Sequence, residues 1–189
     1  MKKPALYRLL SACWLLALLL LAGPAFAQGQ TTAKKPEDKS KRPSPPATVT
    51  ATINGVPVTI DYSRPSTKGR PVFGKLVPFG EVWRTGANEA TTIKVDKAAL
   101  INGQTLPAGQ YALFTIPGPD EWTIIFNREF KQWGAYEYKS GEDALRIKVK
   151  PTKLAKPVEQ FLITADASGP IRLAWENTQA EFTISGAAK

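Results

Sequence analysis

From Thr48 onward the chain runs in short segments of alternating apolar and polar positions, divided by Gly, Pro and Asn. "TVTATI" and "VPVTIDY" flank Asn54-Gly55, a strong signal for a tight hairpin because both residues accept positive φ. "TTIKVD" predicts a further strand, and Asn102-Gly103 a second tight turn. A strand-forming run from Gln110 to Ile116 follows. "GPD" turns the chain and "EWTIIFNR" returns it. In "LRIKVKP" the residues Leu145, Ile147 and Val149 face one way, and Arg146, Lys148 and Lys150 the other. This is the period of a strand with one buried face. "EQFLITAD", "IRLAWEN" and "AEFTIS" complete the set, while "KQWGAYEYKSGED" reads as a long loop. Eight to nine short strands with no amphipathic helix predict an all-β domain. An antiparallel β-sandwich or jelly-roll-like fold leads, with a squat barrel as the alternative.

The residues before Thr48 follow other rules. Lys2, Lys3 and Arg8 precede an apolar run from Leu9 to Ala22, and "PAFAQ" then sets Ala25 and Ala27 before Gln28. This is the pattern of a secretory signal peptide cleaved after Ala27. The run is short for a bilayer span, which needs about 20 residues. The expected product is exported, periplasmic or extracellular, with no membrane insertion after cleavage. Residues 28–47, "QGQTTAKKPEDKSKRPSPPA", hold almost nothing apolar to bury and read as a disordered Lys/Pro-rich spacer. Three segments result: signal peptide 1–27, spacer 28–47, and a single β-rich domain 48–189.

Charge adds little to this division. The formal net charge of +9 is largely N-terminal. Residues 1–27 carry three basic residues and no acidic one, and residues 28–47 five basic against two acidic. The excess left on the domain is too thin for the clustered basic stripe of a nucleic-acid surface.

Composition restricts the chemistry further. The chain has no His, and its one Cys and one Met lie within residues 1–27. Imidazole and thiolate chemistry are therefore excluded from the domain: no Ser-His-Asp triad, no Cys-His dyad, no ordinary zinc, copper or haem site. No cofactor is implied. "GRPVFGKL" approaches a phosphate-binding loop, but Leu76 stands where a hydroxyl is needed and Pro78 blocks the following helix.

"VWRTGANEAT", residues 82–91, is the densest cluster of functional side chains. As a pinned turn, it would bury Trp83, use Gly86 and Asn88 for left-handed geometry, and pair Arg84 with Glu89. As a site, Arg84, Asn88 and Glu89 would line a shallow cleft beside Trp133 and Tyr136, with Arg64 and Arg70 on the neighbouring loop. Arg forks and aromatic faces suit sugars and carboxylate ligands. Trp122 and Trp175 lie inside strand patterns and are expected in the core.

The stretches "YSRP", "KGRPVFGKLVPFGEVWRTGANEATTI" and "LPAGQYALFTIPG" resemble a family of secreted bacterial proteins, common in Bacteroidetes and known as a domain of unknown function. "EWTIIFN", "WGAYEY", "DALRIKV" and "LAWEN" extend the likeness over nearly all of residues 48–185. The resemblance implies an exported single-domain β-rich protein and carries no activity. Three readings follow from the residues. The leading one is a non-enzymatic binding module for a glycan, peptidoglycan fragment or peptide. The second is a carboxylate-dependent hydrolase or lyase acting on polysaccharide, using Glu89 with Asp143 or Glu81. The third is a structural component of an envelope assembly.

Overall fold

The computed structural model describes residues 37–187. The signal-peptide reading and the first part of the spacer lie outside the described residues. Ten strands form two antiparallel sheets. The larger sheet contains β1 (Pro46–Ile53), β2 (Val56–Ser63), β3 (Thr92–Val95), β6 (Gly109–Ile116), β7 (Trp122–Asn127) and β8 (Asp143–Val149), adjacent in that order. The smaller runs β5 (Gln104–Leu106), β4 (Ala99–Ile101), β10 (Pro170–Gly186), β9 (Thr152–Ala165). The fold is a β-sandwich.

Both Asn-Gly turns form as their sequence demands. Asn54 and Gly55 take φ of 47° and 79° and close the β1–β2 hairpin, where Ile53 faces Val56. Asn102 and Gly103 take 46° and 82° between β4 and β5. Two positive φ values in succession match the right-handed twist of the flanking strands.

The core lies between the sheets. Val56, Val58, Ile60 and Tyr62 project into it from β2 on alternate positions, as do Ile147 and Val149 from β8. Phe161 and Ile163 of β9 meet them, with Ile171, Leu173, Trp175, Ala180, Phe182 and Ile184 of β10. β6 and β7 differ, being apolar on both faces. Their outer residues Ala112, Phe114 and Ile125 form a second cluster, covered by Val82, Phe130, Ala135 and Tyr138. Coverage on both sides explains why "YALF" and "TIIF" show no alternation.

The strand total exceeds the eight or nine expected, and two elements account for much of the difference in layout. "IRLAWEN" and "AEFTIS" are one strand, β10, whose register against β9 shifts around Glu176. Glu176 sits at φ 53° there, so the strand bends without ending. β9 starts at Thr152, before the "EQFLITAD" run, because "TKLAKPV" pairs with β10 despite its poor strand composition. The stretch 131–143 is irregular, as expected, with a short 3-10 turn at Ser140–Glu142.

The segment read as spacer is corrected in its second half. A 3-10 turn at Lys39–Lys41 and the start of β1 at Pro46 belong to the same compact unit as the strands, Asp38 onward. It docks mainly through charge and backbone bonds, with Ala47 its one residue packed against the core, and hydropathy does not register such contacts.

Candidate functional site

Between β2 and β3 the chain leaves the sheets, and residues 64–91 carry the motifs picked out above. Their first part is fixed to β9. Thr67 N donates to Glu159 O at 2.9 Å and Phe161 N to Pro65 O at 2.8 Å. The Glu159 carboxylate accepts from the Thr67 hydroxyl and from Lys68 N, and these bonds hold its pKa below the usual carboxylate value. Glu176, at the bend of β10, accepts from Val72 N at 3.1 Å. Phe73 then inserts its ring among Trp83, Trp122 and Trp175, at centroid distances of 4.7 to 6.2 Å.

Trp83 belongs to the core. It stacks on Trp175 at 5.8 Å, exchanges two backbone bonds with Thr115, and donates from Nε1 to Gly86 O at 3.0 Å. Gly86 has no room for a side chain, since a Cβ there would stand 2.9 Å from Ser63 O. Asn88, at φ 60°, is a pin: its Nδ2 donates to Ser44 O at 3.0 Å and to Ser63 Oγ at 3.2 Å. A backbone bridge joins Glu89 to Trp133, flanked by Ala90 N to Gln132 O and Gly134 N to Asn88 O, both 3.0 Å. Two loops distant in sequence are thereby zipped together.

The expected Arg84–Glu89 pair does not form. Glu89 accepts instead from Lys39 through Oε1 and from Arg42 through Oε2, each at 2.8 Å. Arg42 also lies over the Trp133 ring, 5.6 Å from its centroid. Burial pushes the Glu89 pKa up. Hydrogen bonds from Lys39, its own backbone and Arg42, aided by the Lys39 charge, outweigh this and bring it from 4.5 to about 2. A carboxyl whose folded pKa is depressed stabilises the fold above its unfolded value. That contribution disappears as pH falls from about 4.5 toward 2. Denaturation midpoints measured across this range should fall more steeply for the native chain than for Glu89→Gln. Parallel curves would contradict the clamp.

Arg84 points elsewhere. With Arg70, Trp83, Trp175, Leu76 and Pro78 it lines a cavity of about 240 Å³. Its Nε is buried and has no hydrogen-bond partner among the described residues. Nη1 lies so close to Gly134 that a Cβ on that residue would come within 2.9 Å of it. A buried guanidinium donor without an acceptor costs about 1–3 kcal/mol. Arg70 is oriented toward the same cavity by its own loop, with Nε donating to Thr67 O at 2.9 Å and Nη2 to Ser66 O at 3.0 Å. Arg64 is spent on structure, its Nε donating to Phe161 O at 3.2 Å.

The candidate residues therefore separate into two groups. Arg70 and Arg84 share a cavity walled by aromatic and apolar groups. Glu89 and Trp133 meet Lys39 and Arg42 beyond it, with Tyr136 83% exposed on the same loop as Trp133. Lys39 and Arg42 escape sequence reasoning, since a cation in a polar segment looks the same whether solvated or paired. Asp143 is engaged by Asn127, Tyr138 and Arg146. Glu81 lines the Arg84 cavity.

Fold and site define a two-sheet β-sandwich whose long β2–β3 connection builds a small cationic, aromatic-walled cavity. The chain belongs to the family described as protein of unknown function (DUF2911), whose model matches residues 44–184. That span includes Ser44 and Pro45, whose carbonyls receive Asn88 and Arg64, and excludes Lys39 and Arg42. No curated protein and no solved structure matches the chain. Among the described residues no helix is long and apolar enough to cross a membrane.

Proposed function

We propose that this chain is an exported, non-enzymatic binding module whose ligand presents a carboxylate to Arg84 and Arg70. The ligand's apolar or ring face would rest on Leu76, Pro78 and Trp83. A peptide end or a peptidoglycan fragment has this combination, and an acidic glycan shares its charge. The observation that carries the reading is Arg84: its side chain lines the cavity, and its buried Nε finds no acceptor among the described residues, so the guanidinium keeps donor capacity the fold does not meet. Arg70 adds a second cation, against the single carboxylate of Glu81. Export rests on the pattern of residues 1–27.

The hydrolase reading draws less support. Glu89, its acid or base, is clamped by two cations and held near a pKa of about 2, far from the neutral range where proton transfer is efficient. It lines a different cavity from Glu81, and Asp143 lines neither.

Titration calorimetry with N-acetylmuramic acid and N-acetylated dipeptides, each compared with its amide, tests the proposal. The free acids should bind and the amides should bind at least tenfold more weakly, as loss of a charge-assisted bond implies. Arg84→Met should abolish the difference while raising stability by about 1 kcal/mol, since it removes the unpaired donor. Equal affinity for acid and amide, or an unaltered affinity in Arg84→Met, would overturn it.

A further inference from the structure

We infer that Glu89, Asn88 and Trp133 form a second binding site, for a basic arginine-containing peptide segment, and that residues 38–45 of the same chain occupy it in cis. Its cavity shares no lining residue with the Arg84 cavity. Its walls belong to the folded domain and are fixed by the Glu89–Trp133 bridge and the Gly134 N to Asn88 O bond. Its occupant is polar: none of Lys39–Lys41 is buried, and Asp38 folds back to accept from Ser40 N and Ser40 Oγ.

The contacts are those of peptide recognition. Each Glu89 oxygen takes one cation, and the Arg42 guanidinium adds the face of Trp133. The Arg42 side chain keeps 12% of its exposure, against 54% for Lys39, so arginine is the anchor and lysine the rim. Main-chain carbonyls are read as well, Ser44 O by Asn88 Nδ2 and Pro45 O by Arg64 N. The charges are complementary. The receptor side contributes Asp61 and Glu89 to a cavity of about 200 Å³ that Lys39 also lines. Against the upward push of burial, the hydrogen bonds from Lys39, its own backbone and Arg42 hold the Glu89 pKa down, so the occupied clamp stays ionised well into acid.

Because the occupant is tethered, it competes at an effective concentration on the order of mM. A basic segment of another protein therefore meets a closed site and must displace residues 38–45 to bind.

The test uses the chain from Gln28, which retains the whole described unit, and a fluorescent peptide with the sequence of residues 38–45. Lys39→Ala combined with Arg42→Ala should bind the peptide at least tenfold more tightly than the native chain. Backbone amides of residues 41–42 should lose hydrogen-exchange protection in the same variant. Adding Glu89→Gln should abolish the gained affinity, and a peptide with alanine in place of its arginine should not bind. The proposal is overturned if the double variant gains no affinity, if the gain survives Glu89→Gln, or if protection of residues 41–42 is unchanged.

Discussion

Trp83→Ala is expected to lower the stability of the domain by about 3–5 kcal/mol, the range for truncating a buried tryptophan. Trp83 is 8% exposed and contacts four elements at once. Its ring stacks on Trp175 of β10, meets Phe161 of β9 edge-on at 5.2 Å, and meets Phe73 of the long connection at 5.8 Å. Its backbone is paired with Thr115 of β6. Alanine would empty the space beneath the Arg84 cavity and leave Gly86 O without its donor. Trp83→Phe separates the two causes. It keeps most of the ring burial and loses only the Nε1 bond, so its cost should be nearer 1 kcal/mol. Urea denaturation of both variants measures this directly. A loss below about 1 kcal/mol for alanine would show that the aromatic cluster does not fasten the connection to the sandwich.

The second large effect concerns the N-terminal boundary. A chain beginning at Thr48 should be less stable than one beginning at Asp38 by about 3 kcal/mol, or roughly 10 °C in Tm. The shorter chain lacks the register pairs Pro46–Ser63 and Ala47–Tyr62. Asn88 and Arg64 N lose the carbonyls of Ser44 and Pro45. Glu89 loses both cations. The half-exposed ion pairs contribute little singly. The lost strand pairs and main-chain hydrogen bonds make up the greater part. Equal midpoints for the two chains would show that residues 38–47 add nothing to the fold.

Much of the sandwich is legible in the residues, because local rules govern it. Period-two alternation marks β2 and β8, and Asn-Gly specifies two hairpins without help from tertiary contacts. The continuity of β10 is not legible in the same way. Glu176 sits in left-handed geometry stabilised by a bond to Val72, more than a hundred positions away. The first half of β9 is strand only because β10 lies beside it. The site is harder still. Arg84 and Glu89 are near in sequence and opposite in charge, and no local rule shows that Arg42 outcompetes Arg84 for the carboxylate. The burial of Trp83 is plainer, since a large aromatic is more stable packed than displayed.

The outer margin of β9 is treated differently along its length. Backbone bonds from Thr67 and to Pro65 cover it around Glu159–Phe161, while among the described residues no strand lies beside Thr152–Pro157 on that side. There the exposed Lys153 and Lys156 would repel a like edge, and Pro157 offers no amide to a newcomer. Strand addition, the simplest route by which sandwiches polymerise, is thus obstructed along this margin. The molecule can be crowded at high concentration without this edge growing into fibrils.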